Sequence, residues 1–244
     1  MLAYIENVLF AGAVPPGEVA AVLVEPIQGE GGYIVPPDGF LAGLRELCDR
    51  HGMLLIFDEV QSGIGRTGRM FASQHWGVTP DVMTLAKGLG SGLPIGATVA
   101  RRRHMEKWKR GAQGNTFGGN PLCCAAALAT LDLVEREYAA NAAAVGEFFL
   151  ARLRELQQSY PSIGEVRGRG LMIGMELITD PATRAPARAL CEAVLTRAYH
   201  QGLLLLSCGQ STVRFIPPLM INRAQVDEAM EMLEAALKEA LAMS

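Results

Sequence analysis

The sequence predicts an α/β fold: a larger domain on a mostly parallel sheet, followed by a smaller C-terminal α+β domain. Three observations predict it. Apolar runs of strand length, 53–57 and 81–86, each lead to a charged residue and a glycine-rich turn, as buried parallel strands do at the end where open sheets bind ligands. A helical apolar period between the strands at 19–26 and 53–57 makes a β-α-β unit, right-handed by expectation. Beyond about residue 150 strands and helices alternate through short turns, so 1–150 is read as the larger domain and 151–244 as a small α+β domain.

In order, the run 19–26 reads as a strand ending in Glu25, followed by the glycine loop Gln28-Gly29-Glu30-Gly31-Gly32. Asp38 is placed as the cap of a helix whose apolar face holds Phe40, Leu41, Leu44 and Leu47, and Gly52 ends it. The strand 53–57 closes on Asp58, and the strand 81–86 delivers Lys87 into Gly88-Leu89-Gly90-Ser91-Gly92. A further strand is read at 96–100. The cluster Arg101-Arg102-Arg103-His104 with Lys107-Trp108-Lys109-Arg110 is compatible with nucleic acid, but so short a run on an acidic chain is read as a solvated or subunit-facing helix. A polar loop over 111–120 leads to helical pattern from Pro121 to about Gln158. Strands follow over 163–177, a helix over 181–201, short strands at 203–206 and 213–216, and a helix from Arg223 onward.

Half of the 244 residues are apolar, enough for a sizeable core, and the net charge of −3 points to no polyanion and no disorder. The five scattered cysteines show no metal spacing and read as reduced thiols of a cytoplasmic protein. No apolar run approaches a membrane span, and the first residues lack the basic start of a signal peptide.

A lone Asp at a strand end is commonly a turn or cap residue, and a lone Lys a solvated one. What sets Asp58 and Lys87 apart is their placement at the ends of adjacent strand candidates, with the lysine crowded by glycines and Pro94. A nucleophilic lysine must be neutral or held as an imine, and pyridoxal phosphate supplies the aldehyde. Its ring must be protonated to accept electrons, and a carboxylate against the ring N–H keeps it so. Asp58 and Lys87 fit those two roles.

Val24-Glu25-Pro26-Ile27-Gln28-Gly29-Glu30-Gly31-Gly32, Asp58-Glu59-Val60-Gln61-Ser62-Gly63 with Gly65-Arg66-Thr67-Gly68, Ala86-Lys87-Gly88 and Thr116-Phe117-Gly118-Gly119-Asn120-Pro121 together resemble the class III pyridoxal-phosphate aminotransferases, in the family's order and spacing. The resemblance implies fold-type I and a Schiff base on Lys87, which then shuttles the substrate's α-proton. It implies that Asp58 pairs with the pyridinium nitrogen, Val60 packs on a ring face, Gln61 bonds the 3-oxygen, and Thr116 reaches the phosphate of a neighbouring subunit in a homodimer with shared sites. Arg214 would bind the substrate carboxylate, Glu25 neutralising it when the ω-amine enters; a structural ion pair is the other reading of Arg214. The segments Leu204-Leu205-Leu206-Ser207-Cys208-Gly209 and Gly164-Glu165-Val166-Arg167-Gly168 look closest to 4-aminobutyrate aminotransferases, so the expected reaction transfers the amino group of a 4-aminobutyrate-like ω-amino donor to a 2-oxo acid acceptor, with no metal, nucleic acid or membrane involved.

The chain departs from the family at its start, and the resemblance implies that 1–150 is a partial large PLP-binding domain that includes the interdomain helix. No stretch before Val19 resembles the family's Gly-Ser/Thr phosphate turn or the aromatic residue that stacks on the other ring face, and the expectation is weak cofactor binding, little turnover and self-association of the isolated chain. Racemisation, decarboxylation or aminomutase chemistry on the same scaffold, or a non-catalytic dimerisation role, remain open.

Overall fold

The computed structural model describes residues 1–242, which divide into two compact units. The first comprises Met1–Pro26, Pro36–Ile64 and Met70–Val134; the second comprises Ile27–Val35, Gly65–Arg69 and the chain from Glu135 onward.

The first unit opens with a short helix α1 (Leu2–Tyr4) that continues as a π-helical segment, Ile5–Ala13. Its sheet has the order β1-β2-β3-β4, with β1 (Ala21–Val24), β2 (Leu54–Asp58) and β3 (Val82–Leu85) parallel and β4 (Ala97–Ala100) antiparallel at the edge. Helix α2 (Phe40–His51) joins β1 to β2 and buries Leu41, Leu44, Leu47 and Cys48 against Met53, Leu55 and Phe57, the i, i+3, i+4 stripe that its apolar period requires. Its N-cap is Gly39 in the left-handed region, with no side-chain cap bond, rather than Asp38; the C-terminal Gly52 at φ 71° closes it as expected. Of the basic stretch only α3 (Arg102–Met105) is helical. Helix α4 (Pro121–Leu133) starts with proline at its first turn and with the Asn120 side chain accepting from the Leu122 and Cys123 amides.

The second unit packs α5 (Ala139–Ser159), reached through a π-helical turn at Val134–Tyr138, on an antiparallel sheet of order β5-β6-β8-β7. Its strands are β5 (Ile163–Arg169), β6 (Met172–Leu177), β7 (Leu206–Cys208) and β8 (Thr212–Phe215). Helices α6 (Arg188–His200) and α7 (Arg223–Leu241) complete a core that includes Phe149, Leu153, Ile173, Met175, Val194, Val213 and Leu233. Helix α6 begins seven residues later than the predicted 181 because Ile178 bridges to Pro186 and the Asp180 carboxylate and carbonyl cap a turn, and a proline is excluded from a helix interior. Strand β7 lies at 206–208 rather than 203–206, where Leu206 meets Arg214 and Cys208 meets Thr212 in register.

Among the described residues no helix is long and apolar enough to cross a membrane, and no group of three or more His, Cys, Asp or Glu is arranged to hold a metal. All five cysteines are free thiols, Cys124 half-buried and the others buried; burial pushes Cys191 and Cys208 up to about 11.

Candidate active site

In the first unit the site residues gather at the C-terminal ends of the parallel strands. Asp58 is the last residue of β2 and is paired in register with Thr84 of β3. Its Oδ1 accepts from the Val60 amide at 2.9 Å and the Thr84 hydroxyl at 3.2 Å, which orient the carboxylate. Because Val24 pairs with Phe57, Glu25 leaves β1 beside the point where Asp58 ends β2. Lys87 follows β3 by two residues and opens a 3-10 turn, Lys87–Gly90. Its φ of 45° is left-handed, as is that of Ser91, so a non-glycine backbone is held in a conformation that costs about 1 kcal/mol or more. The lysine side chain is exposed at this end of the sheet.

The segment after β2 carries Val60 and Gln61, both half-buried. The buried Gln61 Oε1 has no hydrogen-bond partner among the described residues. The loop is organised by Glu59, fully buried, whose carboxylate accepts from the Ser62 hydroxyl (2.9 Å) and the Ala72 and Ser73 amides (2.8 Å each), while its own amide donates to the Thr84 carbonyl. Locally, the one sign of this role for Glu59 is that it directly follows the strand-end acid Asp58. Thr116 lies exposed in the loop between α3 and α4.

Arg214 sits on β8 in the second unit, its side chain only 12% exposed and ion-paired with Glu30. Burial would lower its pKa, but Glu30 outweighs that and holds the guanidinium above its ordinary value. Tyr33, fully buried nearby, has its hydroxyl pushed up to about 12 chiefly by burial, against the attraction of Arg214.

The donor set of the first unit fits pyridoxal phosphate on its own geometry. A carboxylate steadied by two donors and a lysine on a strained turn at the neighbouring strand end suit a ring nitrogen and an aldehyde; the orphaned Gln61 Oε1 is an acceptor, so a ring oxygen would have to be met by the amide's Nε2 instead.

A family model described as aminotransferase class III matches residues 1–237, and the chain belongs to that family. It is 46% identical over 92% of its length to an acetylornithine aminotransferase of Corynebacterium efficiens and 40% identical over 99% to an alanine/serine racemase of Pyrococcus horikoshii. It covers 52% and 51% of those two proteins, so the chain spans about half the length of the curated relatives it matches. An amine transaminase from an uncultivated Pseudomonas species, solved with PLP bound, superposes with a TM-score of 0.91 at 39% identity, over 98% of this chain and 56% of that one. The fold is therefore the fold-type I α/β architecture that the motifs implied.

Proposed function

We propose that this chain serves PLP-dependent transamination of a 4-aminobutyrate-like ω-amino acid with a 2-oxo acid. The observation that carries the reading is the placement of Asp58 and Lys87 at the ends of adjacent parallel strands, with Gln61 on the segment that follows β2. When bound, pyridoxal phosphate supplies an aldehyde for the amine and a protonated ring that withdraws electrons from the carbon bearing it. Lys87 would hold that aldehyde carbon through Nζ and, once released, move the proton at the substrate's amine-bearing carbon. Asp58 would hold the ring N–H, Val60 would pack on a ring face, and Gln61 would meet the ring oxygen. Thr116 would reach the phosphate site of a second copy, which makes the working unit a homodimer, in a cytoplasmic setting. Arg214 would bind the substrate carboxylate, a contact of about 1.5–3 kcal/mol, with Glu25 as its counter-charge when the ω-amine is presented.

Racemisation is the second reading, favoured by the 40% identity to the alanine/serine racemase. Visible spectra of the chain with pyridoxal phosphate, before and after borohydride, test the common step. A Lys87-dependent visible band is expected that borohydride abolishes, leaving the pyridoxyl group bonded to the chain and retained through dialysis, and identical spectra from the chain and Lys87→Ala would reject the site. Turnover that requires a 2-oxo acid then marks transamination, and turnover without one marks racemisation.

A further inference from the structure

Arg167 of β5, Gly174 of β6 and Arg214 of β8 stand in register across three strands, so both arginines rise from one face of the sheet with a glycine between them, roughly 10 Å apart at the backbone. The glycine loop crosses that gap. A Cβ added at Gly174 would stand 3.1 Å from the Tyr33 Cβ and 3.5 Å from the Gly32 oxygen, so the loop rests directly on the strand, with Tyr33 fully buried. Arg167 fastens it there. Its Nε (3.0 Å) and Nη2 (2.7 Å) both donate to the Gly32 carbonyl, Nη2 also donates to the Thr212 hydroxyl at 3.0 Å, and Nη1 donates to the Glu165 and Glu176 carboxylates. Every N–H of the guanidinium therefore has an acceptor, and those acceptors lie on the loop, β5, β6 and β8. On the far side the Gly209 amide donates to the Glu30 carbonyl at 2.8 Å and completes the seat of the loop. Arg214, at the other end of the row, is 12% exposed, and the Glu30 side chain meets its Nη1.

We infer that Arg167 is a positioning residue for the carboxylate site: by clamping the glycine loop across Gly174 it holds the Arg214 side chain in one direction and so sets affinity for carboxylates. This rests on the reading of Arg214 as the carboxylate-binding arginine. An arginine side chain is rich in rotamers, and ordering it before a ligand arrives removes part of the entropy that binding costs. Arg167 serves through its geometry. Glu165 and Glu176 already offset its charge, and a lysine, which is a point donor, spans neither Gly32 with Thr212 nor the two carboxylates at once. Loss of the clamp is expected to weaken carboxylate binding by about three- to ten-fold, the scale of one net hydrogen bond.

Glutarate, an unreactive dicarboxylate, is titrated by calorimetry into the full 244-residue chain and its variants, well below the melting point of each, with hydrogen exchange of the Gly209 amide and the Arg214 Nε–Hε resonance followed in parallel. Arg167→Gln and Arg167→Lys are expected to bind glutarate about three- to ten-fold more weakly, to exchange the Gly209 amide at least about ten-fold faster, and to shift the Arg214 resonance in the free protein. Arg214→Gln and Arg214→Lys are expected to weaken binding at least about ten-fold. Gly146→Ala, a packing change on α5, should leave all three readouts at the parent's values. If the parent does not bind glutarate, or both Arg214 variants bind it as the parent does, the reading of Arg214 falls and the proposal with it. If the Arg214 variants lose binding while Arg167→Gln or Arg167→Lys keeps the parent's affinity, or the Gly209 amide exchanges at the parent's rate, or Gly146→Ala weakens binding as much, only the role of Arg167 falls.

Discussion

Asp81 stands at the start of β3 with its side chain 4% exposed, and its surroundings explain how a charge is tolerated there. Arg45 reaches it at 2.7 Å, the Leu55 amide donates at 3.0 Å, and Arg103 and Arg101 follow at 3.3 and 3.5 Å. Part of the basic cluster at 101–104 thus turns toward one buried acid. Burial alone would raise the Asp81 pKa, but the Leu55 amide and Arg45 outweigh it and hold the carboxyl below its ordinary value. A carboxyl depressed in the folded state contributes fully above its unfolded pKa of about 3.9, and the contribution is lost as pH falls through the folded value. Asp81→Asn is expected to cost about 2–3 kcal/mol at neutral pH, less than a wholly buried pair because Arg101 and Arg103 are open to water. Urea melts should show that deficit at about pH 7 and a smaller one at about pH 3; an equal deficit at both would reject the charge-based account. Glu59→Gln tests the neighbouring loop. Gln keeps one acceptor for three donors, so melts should lose about 1–3 kcal/mol, and cofactor binding should weaken because the segment bearing Gln61 loosens; unchanged affinity would separate Glu59 from the site.

At the scale of elements, glycine decides how closely α5 approaches its sheet. A Cβ on Gly146 would lie 2.2 Å from the Gly170 carbonyl oxygen, and one on Gly170 would lie 2.4 Å from the Thr67 carbonyl carbon. Helix, β5–β6 turn and the 65–69 segment are therefore seated backbone on backbone. Gly146→Ala should gain about 1 kcal/mol of helix propensity but lose about 1–3 kcal/mol to overpacking against atoms that cannot rotate away, a net loss of up to about 2 kcal/mol. Thermal denaturation gives the sign, and a stabilised variant would show that α5 can shift. Helix starts divided along similar lines. Asn120 and Pro121 announce α4 locally, and the Asn222–Gln225 capping box announces α7, whereas the start of α6 was decided by a bridge between Ile178 and Pro186 that local pattern does not encode.

At the scale of the molecule, the first unit leaves large apolar side chains in water. Leu122 and Leu128 on α4 are 68% and 69% exposed, and Leu23, in the edge strand β1, is 66% exposed. A largely apolar helix and a bare strand edge are association surfaces. Light scattering should show mass rising with concentration, and Leu122→Glu with Leu128→Glu should lower it without shifting the melt; a monodisperse monomer of the parent chain would refute this. The places of most strands along the chain, the acid and lysine at adjacent strand ends, and the family were legible in the sequence, because apolar runs, glycine punctuation and contiguous motifs are local signals. The neighbourhood of Asp81, the seating of Gly146 on Gly170, and the pairing of Arg214 with Glu30, 184 residues away, belonged to the tertiary structure alone. Such contacts follow from which distant segments the closed chain brings together, and a residue's type and spacing carry no record of that.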